Sequence, residues 1–593
     1  MEIVLDLAVK LSQISGKNNK KMKYIILLFL LLSTGSTLKG QTGNANLDNT
    51  PEETVLIHTN TNLSFAGEYL YYKFYCVLSE SLIPSTLSKV GYVDLINEHK
   101  EIVFQHKLAL TNGTGFSEFF IPADLPSGNY KLVGYTNWMR NFGPNFFFKQ
   151  DITVLNPYLG NQNVFLKEDL KKDSLIEITY PTNRNNAKDK IINLKIDKNE
   201  YNKREKVNLS VSSNLGTKLS STYSISVRKK TILDNRMDTT KKLFNNTPGY
   251  YRPSSYPFLP ELRGGFLSGN LEQEKDTVQK LMISFPGENN LFYVATTNSN
   301  GDFNIPLSSP CNNESVYIRP FSESKTVESI SLETKKNMEY GNMHFNSFVL
   351  TKKMKNLIVE RSIHNQIENA YFDSKPDSII QSKPIPPFYD GQTTEYILDE
   401  YTRFSTLKET FVEILKLVSI NKDVNGKTIF KIIPKLPLID SGITSLVLLD
   451  GAYIHNHERL LTLPSKSIEK ITIARDQYLY GTYSFQGVMD IRTFNGDSYK
   501  TYLDTKTQSF PNEQFRANKK YYKEDYSGTK KELKKHIPDF RSQLAWIPKI
   551  KESKTIFNTS FYTSDVIGEF EITIEGISNN GFPIRVTKSF IVK

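Results

Sequence analysis

The stretch His455-Asn456-His457-Glu458 sets two imidazoles and a carboxylate within four residues, the donor types that hold zinc. On extended backbone His455 and His457 would share a face, because side chains alternate along a strand. A zinc centre needs further ligands, and no third histidine lies nearby, so no metal is expected. The two cysteines, Cys76 and Cys311, are too few for a Cys-pair zinc site or a disulfide-built scaffold. They fall in segments read as separate domains, which predicts two buried, unpaired thiols. No Ser-His-Asp or Cys-His order carries a supporting motif, so no nucleophile and base are expected to meet, no cofactor is implied, and the chain reads as non-enzymatic. Asp450-Gly451 reads as a turn, with Gly451 supplying a positive φ. What remains is contact chemistry. Trp138, Met139 and Phe142, followed by Phe146-Phe147-Phe148, form a dense apolar cluster read chiefly as core, with part of it available to a neighbouring domain or a partner; Tyr453, His455, His457 and Tyr480 are candidates for a second partner surface.

The elements that must position these residues are mostly strands. Tyr 32 and Phe 36 against Trp 2, with many Val, Ile and Thr, suit half-buried pleated surfaces, and 593 residues exceed a single core. The fold class is therefore mainly β, tandem β-sandwiches with one small α/β domain. The net charge of +11 falls to +7 beyond residue 40; spread over more than 500 residues, it does not make the clustered basic face that nucleic acid requires.

Lys20-Lys21-Met22-Lys23, the apolar run Tyr24 to Leu32 and the small polar stretch Ser33 to Thr37 follow the order of a secretory signal. Residues 1–40 are read as that signal, with Met22 the expected start and cleavage near Gly40-Gln41. The run is too short to span a bilayer, no cysteine follows it, and no later apolar stretch reaches the length of a membrane helix. The mature chain is expected to be exported, peripheral to the periplasm or outer membrane, and without a transmembrane segment.

Strands at Leu70–Val77, Val90–Ile96 and Tyr130–Thr136, broken by turns at Asn112-Gly113 and Pro126-Ser127-Gly128-Asn129, make residues 52–157 a sandwich. Phe65-Ala66-Gly67-Glu68 before a strand, and Leu125-Pro126-Ser127-Gly128-Asn129-Tyr130, resemble the macroglobulin-type domain of alpha-macroglobulins and their bacterial relatives. Residues 158–231, with Ile192–Ile196, Val207–Val211 and Tyr223–Val227, resemble a second such sandwich, and 538–593 supply C-terminal strands of the same kind. Between them, 232–260 reads as a linker. Gly269-Asn270-Leu271, Tyr293–Thr297 and Asn300-Gly301-Asp302-Phe303 in 261–334 resemble the carboxypeptidase regulatory-like domain, a small sandwich without catalytic parts. Residues 335–390, polar and charged, read as a linker or irregular stretch. Within 391–497, Leu407, Phe411, Ile414, Leu415 and Val418 follow helical spacing behind a cap at Ser405 or Thr406. Leu446-Val447-Leu448-Leu449-Asp450-Gly451, Ile468-Glu469-Lys470-Ile471, Tyr480-Gly481 and Gly487-Val488-Met489-Asp490-Ile491 there resemble the plug domain of TonB-dependent outer-membrane receptors. Residues 498–537, rich in Lys and Tyr, read as a solvated linker.

A transporter barrel of about 22 strands would need well over 200 residues beyond the plug, and the given chain runs only to Lys593. The Gly-Cys-Gly-Glu-Gln thioester of covalently trapping macroglobulins is also missing around Cys76 and Cys311. The resemblances thus imply a docking or scaffold protein whose plug-like domain contacts a protein partner, such as an outer-membrane barrel or assembly. The alternative is a macroglobulin-like protease inhibitor without a thioester, with 232–260 or 499–535 as bait.

Overall fold

The structure is a computed structural model. It describes residues 50–593 apart from 161–191, 215–218, 220–221, 234–252, 273–276, 288–290, 309–312, 322–328, 334–337, 339, 346–347, 381–385, 390, 424, 436–442, 481–482, 551–554 and 579. The expected signal, Cys311, Gly481 and most of the 232–260 linker lie outside the described residues. Every element named below belongs to the unit Glu52–Lys593.

The first sandwich is built from β1 (Glu53–Thr59), β2 (Leu63–Phe65), β3 (Tyr69–Leu78), β4 (Val90–Ile96), β5 (Ile102–Ala109), β6 (Thr114–Phe120), β7 (Gly128–Tyr135) and β8 (Phe148–Leu155), of which β4 is buried at every position and β1 and β7 at all but one. Its sheets run β1-β3-β6 and β2-β8-β7-β4-β5 around a core that includes Tyr72, Phe74, Tyr92 and Tyr135. Cys76 is buried there as a free thiol, and burial pushes its pKa well up, which keeps it unreactive.

The second sandwich corrects the expected domain boundaries. It begins with β9 (Ile192–Ile196), β10 (Glu200–Tyr201), β11 (Lys206–Ser213) and β12 (Ser224–Lys229), and the end of the chain completes it. The intervening chain first makes the third sandwich, β13 (Phe266–Leu271), β14 (Lys280–Phe285), β15 (Leu291–Thr296), β16 (Asp302–Pro306), β17 (Ser315–Pro320) and β18 (Ile330–Leu332), then helix α1 (Lys355–Ala370) and β19 (Ser378–Ile379).

The α/β unit follows: β20 (Thr393–Ile397), α2 (Leu407–Glu413), the hairpin β21 (Val418–Lys422) and β22 (Thr428–Ile432), β23 (Leu446–Leu449), β24 (Ala452–Tyr453), α3 (His457–Leu460), β25 (Ile468–Tyr480) and β26 (Tyr483–Thr493). Its sheet runs β20-β25-β26-β23-β24, with β23 parallel to β26. Thr406 is the α2 cap, accepting from the Glu409 N–H, while the Glu409 side chain accepts from the Ser405 N–H at 2.8 Å. The helix is shorter than its spacing predicts, because Val418 already opens a strand. Asp450 (φ 49°) and Gly451 (φ 85°) turn β23 into β24, and the Asp450 carboxylate accepts from Thr493 N–H at 2.7 Å and Ser498 N–H at 3.0 Å.

Residues 498–537 are not a solvated linker. β27 (Gln508–Pro511) extends the third sandwich's sheet as β15-β14-β17-β27, and β28 (Lys519–Lys520) pairs with β19. Phe515 bridges to Lys107, and the buried Tyr521 donates to Glu118 Oε2 at 2.8 Å. The chain then returns to the second sandwich with β29 (Gln543–Ile547), β30 (Ile556–Tyr562), β31 (Gly568–Ile577) and β32 (Pro583–Val592), giving sheets β10-β32-β31-β12-β29 and β30-β11-β9. β9 to β12 and β29 to β32, expected in separate domains, are therefore halves of one sandwich.

Candidate functional site

A cleft of about 200 Å³ opens where the first sandwich, the second sandwich, α1 and the 498–537 strap meet. Its floor is ionic. Glu68, which begins the turn into β3, accepts from Arg361 of α1 through Nε and Nη2, both at 2.8 Å, and from the Phe65 N–H at 3.1 Å. Arg228 of β12 approaches the same carboxylate at 3.5 Å. Burial alone would raise the Glu68 pKa; the Arg361 and Arg228 guanidiniums outweigh it and hold the group at about 2. Polar residues spaced by four on α1 complete the grip: Asn365 donates to the Ala66 carbonyl at 2.7 Å and Asn369 to that of Gly67 at 3.1 Å.

The wall is aromatic. Tyr69 and Tyr71, two apart on β3, project to the same side. Phe372, Tyr69, Tyr71 and Trp546 follow one another with centroids 6.1, 5.8 and 6.0 Å apart and planes inclined by only 19°, 27° and 26°. Tyr521 stands edge-on to Tyr71 at 5.1 Å. Behind them, Gln543 of the edge strand β29 donates to its neighbouring Ala545 carbonyl at 2.7 Å and accepts from Asn60 at 3.1 Å.

A second polar group looks catalytic by composition. His58 Nδ1 lies 2.6 Å from Ser224 Oγ, and His58 Nε2 lies 3.9 Å from Glu575. Ser224 is 0% exposed, however, and its hydroxyl also meets Tyr75 OH at 2.8 Å. The trio is sealed between the first two sandwiches beside Lys73, whose ammonium donates to the Thr222 carbonyl, so no substrate reaches it.

The residues singled out from sequence are not brought together here. Trp138 and Met139 are fully buried and Phe142 nearly so, which removes them as a free partner surface. Trp138 stacks on Tyr256 at 5.3 Å, so the cluster is core plus a seat for the following segment. Tyr453 is 7% exposed and packs on Phe292 of the third sandwich, as does Tyr480, with centroids 6.0 and 5.5 Å apart. His455 bonds to Tyr453 OH at 3.1 Å. His457 is not on a strand: Asn456 caps the short helix α3, and His457 Nδ1 accepts the Phe430 N–H at 2.8 Å. Burial pushes its pKa down to about 4, keeping the ring neutral. No cluster of three metal-ligating side chains occurs among the described residues. Sequence reasoning missed the cleft, although Arg361, Asn365 and Asn369 at helical spacing were a usable signal.

No family model matches the sequence, and no curated relative does. Among solved structures, the chain is similar to Salmonella alpha-2-macroglobulin reacted with methylamine (8% identity, TM-score 0.15, covering 91% of this chain and 23% of that one). It is also similar to trypsin-activated alpha-2-macroglobulin from Escherichia coli (8%, 0.23, 91% and 41%) and to dimeric latent PorU from Porphyromonas gingivalis (9%, 0.16, 47% and 33%). The chain spans less than half the length of each. Superpositions this partial carry no argument; the mainly β, multi-sandwich architecture stands on the strands themselves.

Proposed function

We propose that this chain is a non-enzymatic, exported scaffold that docks on a protein partner in an outer-membrane assembly. The supporting observation is that the α/β unit is clamped at both faces of its sheet. Helix α2, through Leu407 and Phe411, and the β21–β22 hairpin, through Phe430, cover one face, and Met282 and Phe292 of the third sandwich cover Leu446, Leu448 and Val488 on the other. The unit is thus held as a fixed head, and docking falls to its outward side chains, such as Val412 and Leu479, each 74% exposed. Insertion into a barrel lumen is not part of this reading, since Tyr453 and Tyr480 are already engaged within the chain. No helix of the described residues is long and apolar enough to cross a membrane. Of the two bait segments that the inhibitor alternative offers, 499–535 is laced into neighbouring sheets, and 232–260 lies mostly outside the described residues.

Crosslinking in intact cells, followed by purification from membranes, tests the reading. A defined partner should co-purify, and Val412→Asp with Leu479→Asp should reduce its recovery several-fold. Recovery of only free monomer from the soluble fraction, or proteolytic capture with compaction, overturns it.

A further inference from the structure

Helix α1 is inside out. Its polar residues Arg361, Asn365 and Asn369 grip the first sandwich, with Arg361 and Asn365 both buried. The opposite side reads Lys355, Val359, Ile363, Gln366 and Ala370, a spacing of three and four residues that keeps one line along the helix surface. Val359 is 49% and Ile363 50% exposed; Lys355, Gln366 and Ala370 are exposed as well, and the half-buried Ile367 lies beside them. A helix on a soluble surface ordinarily turns its apolar stripe inward. Single exposed apolar residues need no explanation, but Val359 and Ile363 stand one turn apart on the same outward line. Helix propensity does not account for them either, since β-branched residues form helix less readily than Ala, Glu or Lys.

The charges on this line say what covers it. Lys355 stands at its start, and Asp373, in the 3-10 turn Phe372–Ser374 that continues α1, follows Ala370 at the next step. Both are exposed, and neither side chain meets an opposite charge among the described residues. The line thus runs from a cation through apolar turns to an anion. A second copy laid antiparallel sets each Lys355 opposite the other copy's Asp373 and brings the two apolar middles together, with the helix dipoles opposed. A parallel pair would set lysine on lysine and aspartate on aspartate. A lipid surface fits less well, because a helix lying on anionic headgroups is rich in basic residues on its polar side, whereas here Glu360 flanks the line and Asp373 closes it.

We propose that the outward side of α1 is a self-association face, through which two copies of this chain pair antiparallel as a two-fold dimer. A helix of 16 residues is about 24 Å long, so the contact is small beside a standard interface and the dimer dissociates on dilution.

Sedimentation equilibrium of the full chain tests this. A dilution series should show monomer and dimer in exchange, and Ile363→Asp, at an exposed site that leaves the circular dichroism unchanged, should weaken the dimer about tenfold or more. Lys355→Asp and Asp373→Lys should each weaken it, and the two together, which restore opposite charges across an antiparallel pair, should recover most of the wild-type affinity. A monomer at every concentration up to about 0.2 mM, a dimer indifferent to Ile363→Asp, or a double variant no better than its singles would each overturn the proposal. So would binding of the monomer to anionic phospholipid vesicles that Ile363→Asp abolishes, since the face would then belong to lipid. None of these outcomes bears on the docking assigned to Val412 and Leu479.

Discussion

Two joints hold this chain together by opposite chemistry. At the first, the Glu68 carboxylate sits between Arg361 of α1 and Arg228 of the second sandwich. At the second, Met282 and Phe292 of the third sandwich press on Leu446, Leu448, Tyr453, Phe485 and Val488 of the α/β unit, and the hydrogen bonds across it, Tyr453 N–H to Ser284 Oγ at 3.3 Å and Arg492 Nη1 to the Gly287 carbonyl at 3.1 Å among them, pair no two opposite charges. Apolar area is non-directional and tolerates small rotations, whereas a two-pronged guanidinium–carboxylate pair fixes distance and angle together. The ionic joint therefore sets where α1 lies, and with it the shape of the cleft. The apolar joint sets only that the α/β unit stays attached.

The comparison breaks most easily at Glu68. Removing the carboxylate leaves two guanidiniums in a buried site, so Glu68→Ala should cost about 4 kcal/mol and strip hydrogen-exchange protection from α1 first. Glu68→Gln keeps the shape and serves if the alanine variant does not accumulate. A cost under about 1 kcal/mol would mean that solvent screens the joint. Phe292→Ala at the other joint should cost about 3 kcal/mol in urea unfolding, by lost burial and a residual cavity, and expose the α/β unit while leaving α1 protected. Equal loss of protection in both places would show that the joints do not act separately.

Strands were legible because their patterns are local: the mostly apolar run Val90–Ile96, buried at every position, and the alternating Ile192–Ile196 appear with the bounds that the sequence predicts. Partners were not. Ser224–Lys229 pairs with Gly568–Ile577 across most of the chain, and nothing in a strand's own pattern names its neighbour, so one sandwich read as two. The strap failed for a related reason: its Lys and Tyr residues look solvated until Glu118, buried in the first sandwich, supplies a partner for Lys519 and Tyr521. His455 and His457 were placed on one strand face because Asn456 was not weighed as a helix cap. The Gly67-Glu68 pair stood out only by resemblance; its physical role needed Arg228 and Arg361, each an ordinary surface charge when met in sequence.

Acid should separate the joints. Glu68 has its pKa held at about 2 in the folded chain against an ordinary 4.5, so its contribution is complete above pH 4.5 and is lost as pH falls toward 2. That depression corresponds to about 3 kcal/mol, the most that can be lost over this window. His106, pushed down to about 3 by burial in the first sandwich, also destabilises the fold, beginning below pH 6.5, because the neutral ring must take a proton. The stability difference between the wild type and Glu68→Gln removes that background: it should be constant above pH 4.5 and shrink below it. The difference between the wild type and Phe292→Ala should stay flat throughout. A parallel decline in both would place the acid sensitivity outside Glu68.

The smallest effect is the most local. Gly67 has φ 86°, a left-handed conformation that side chains resist, and an added Cβ would fall 2.6 Å from Asn369 Nδ2 and 2.8 Å from Asn365 Nδ2. Those two amides are the ones that donate to the Ala66 and Gly67 carbonyls, so an added methyl both strains the turn and pushes α1 away from it. Gly67→Ala should cost about 2 kcal/mol. If α1 then shifts, the Arg361 fork no longer meets Glu68 squarely, and the acid-dependent difference should shrink with it. Double-mutant analysis with Arg361→Lys reads that coupling. An interaction energy of about 1 kcal/mol ties the turn to the ion pair, whereas strict additivity would make Gly67 a matter of backbone strain alone and the joint less specific than its geometry implies.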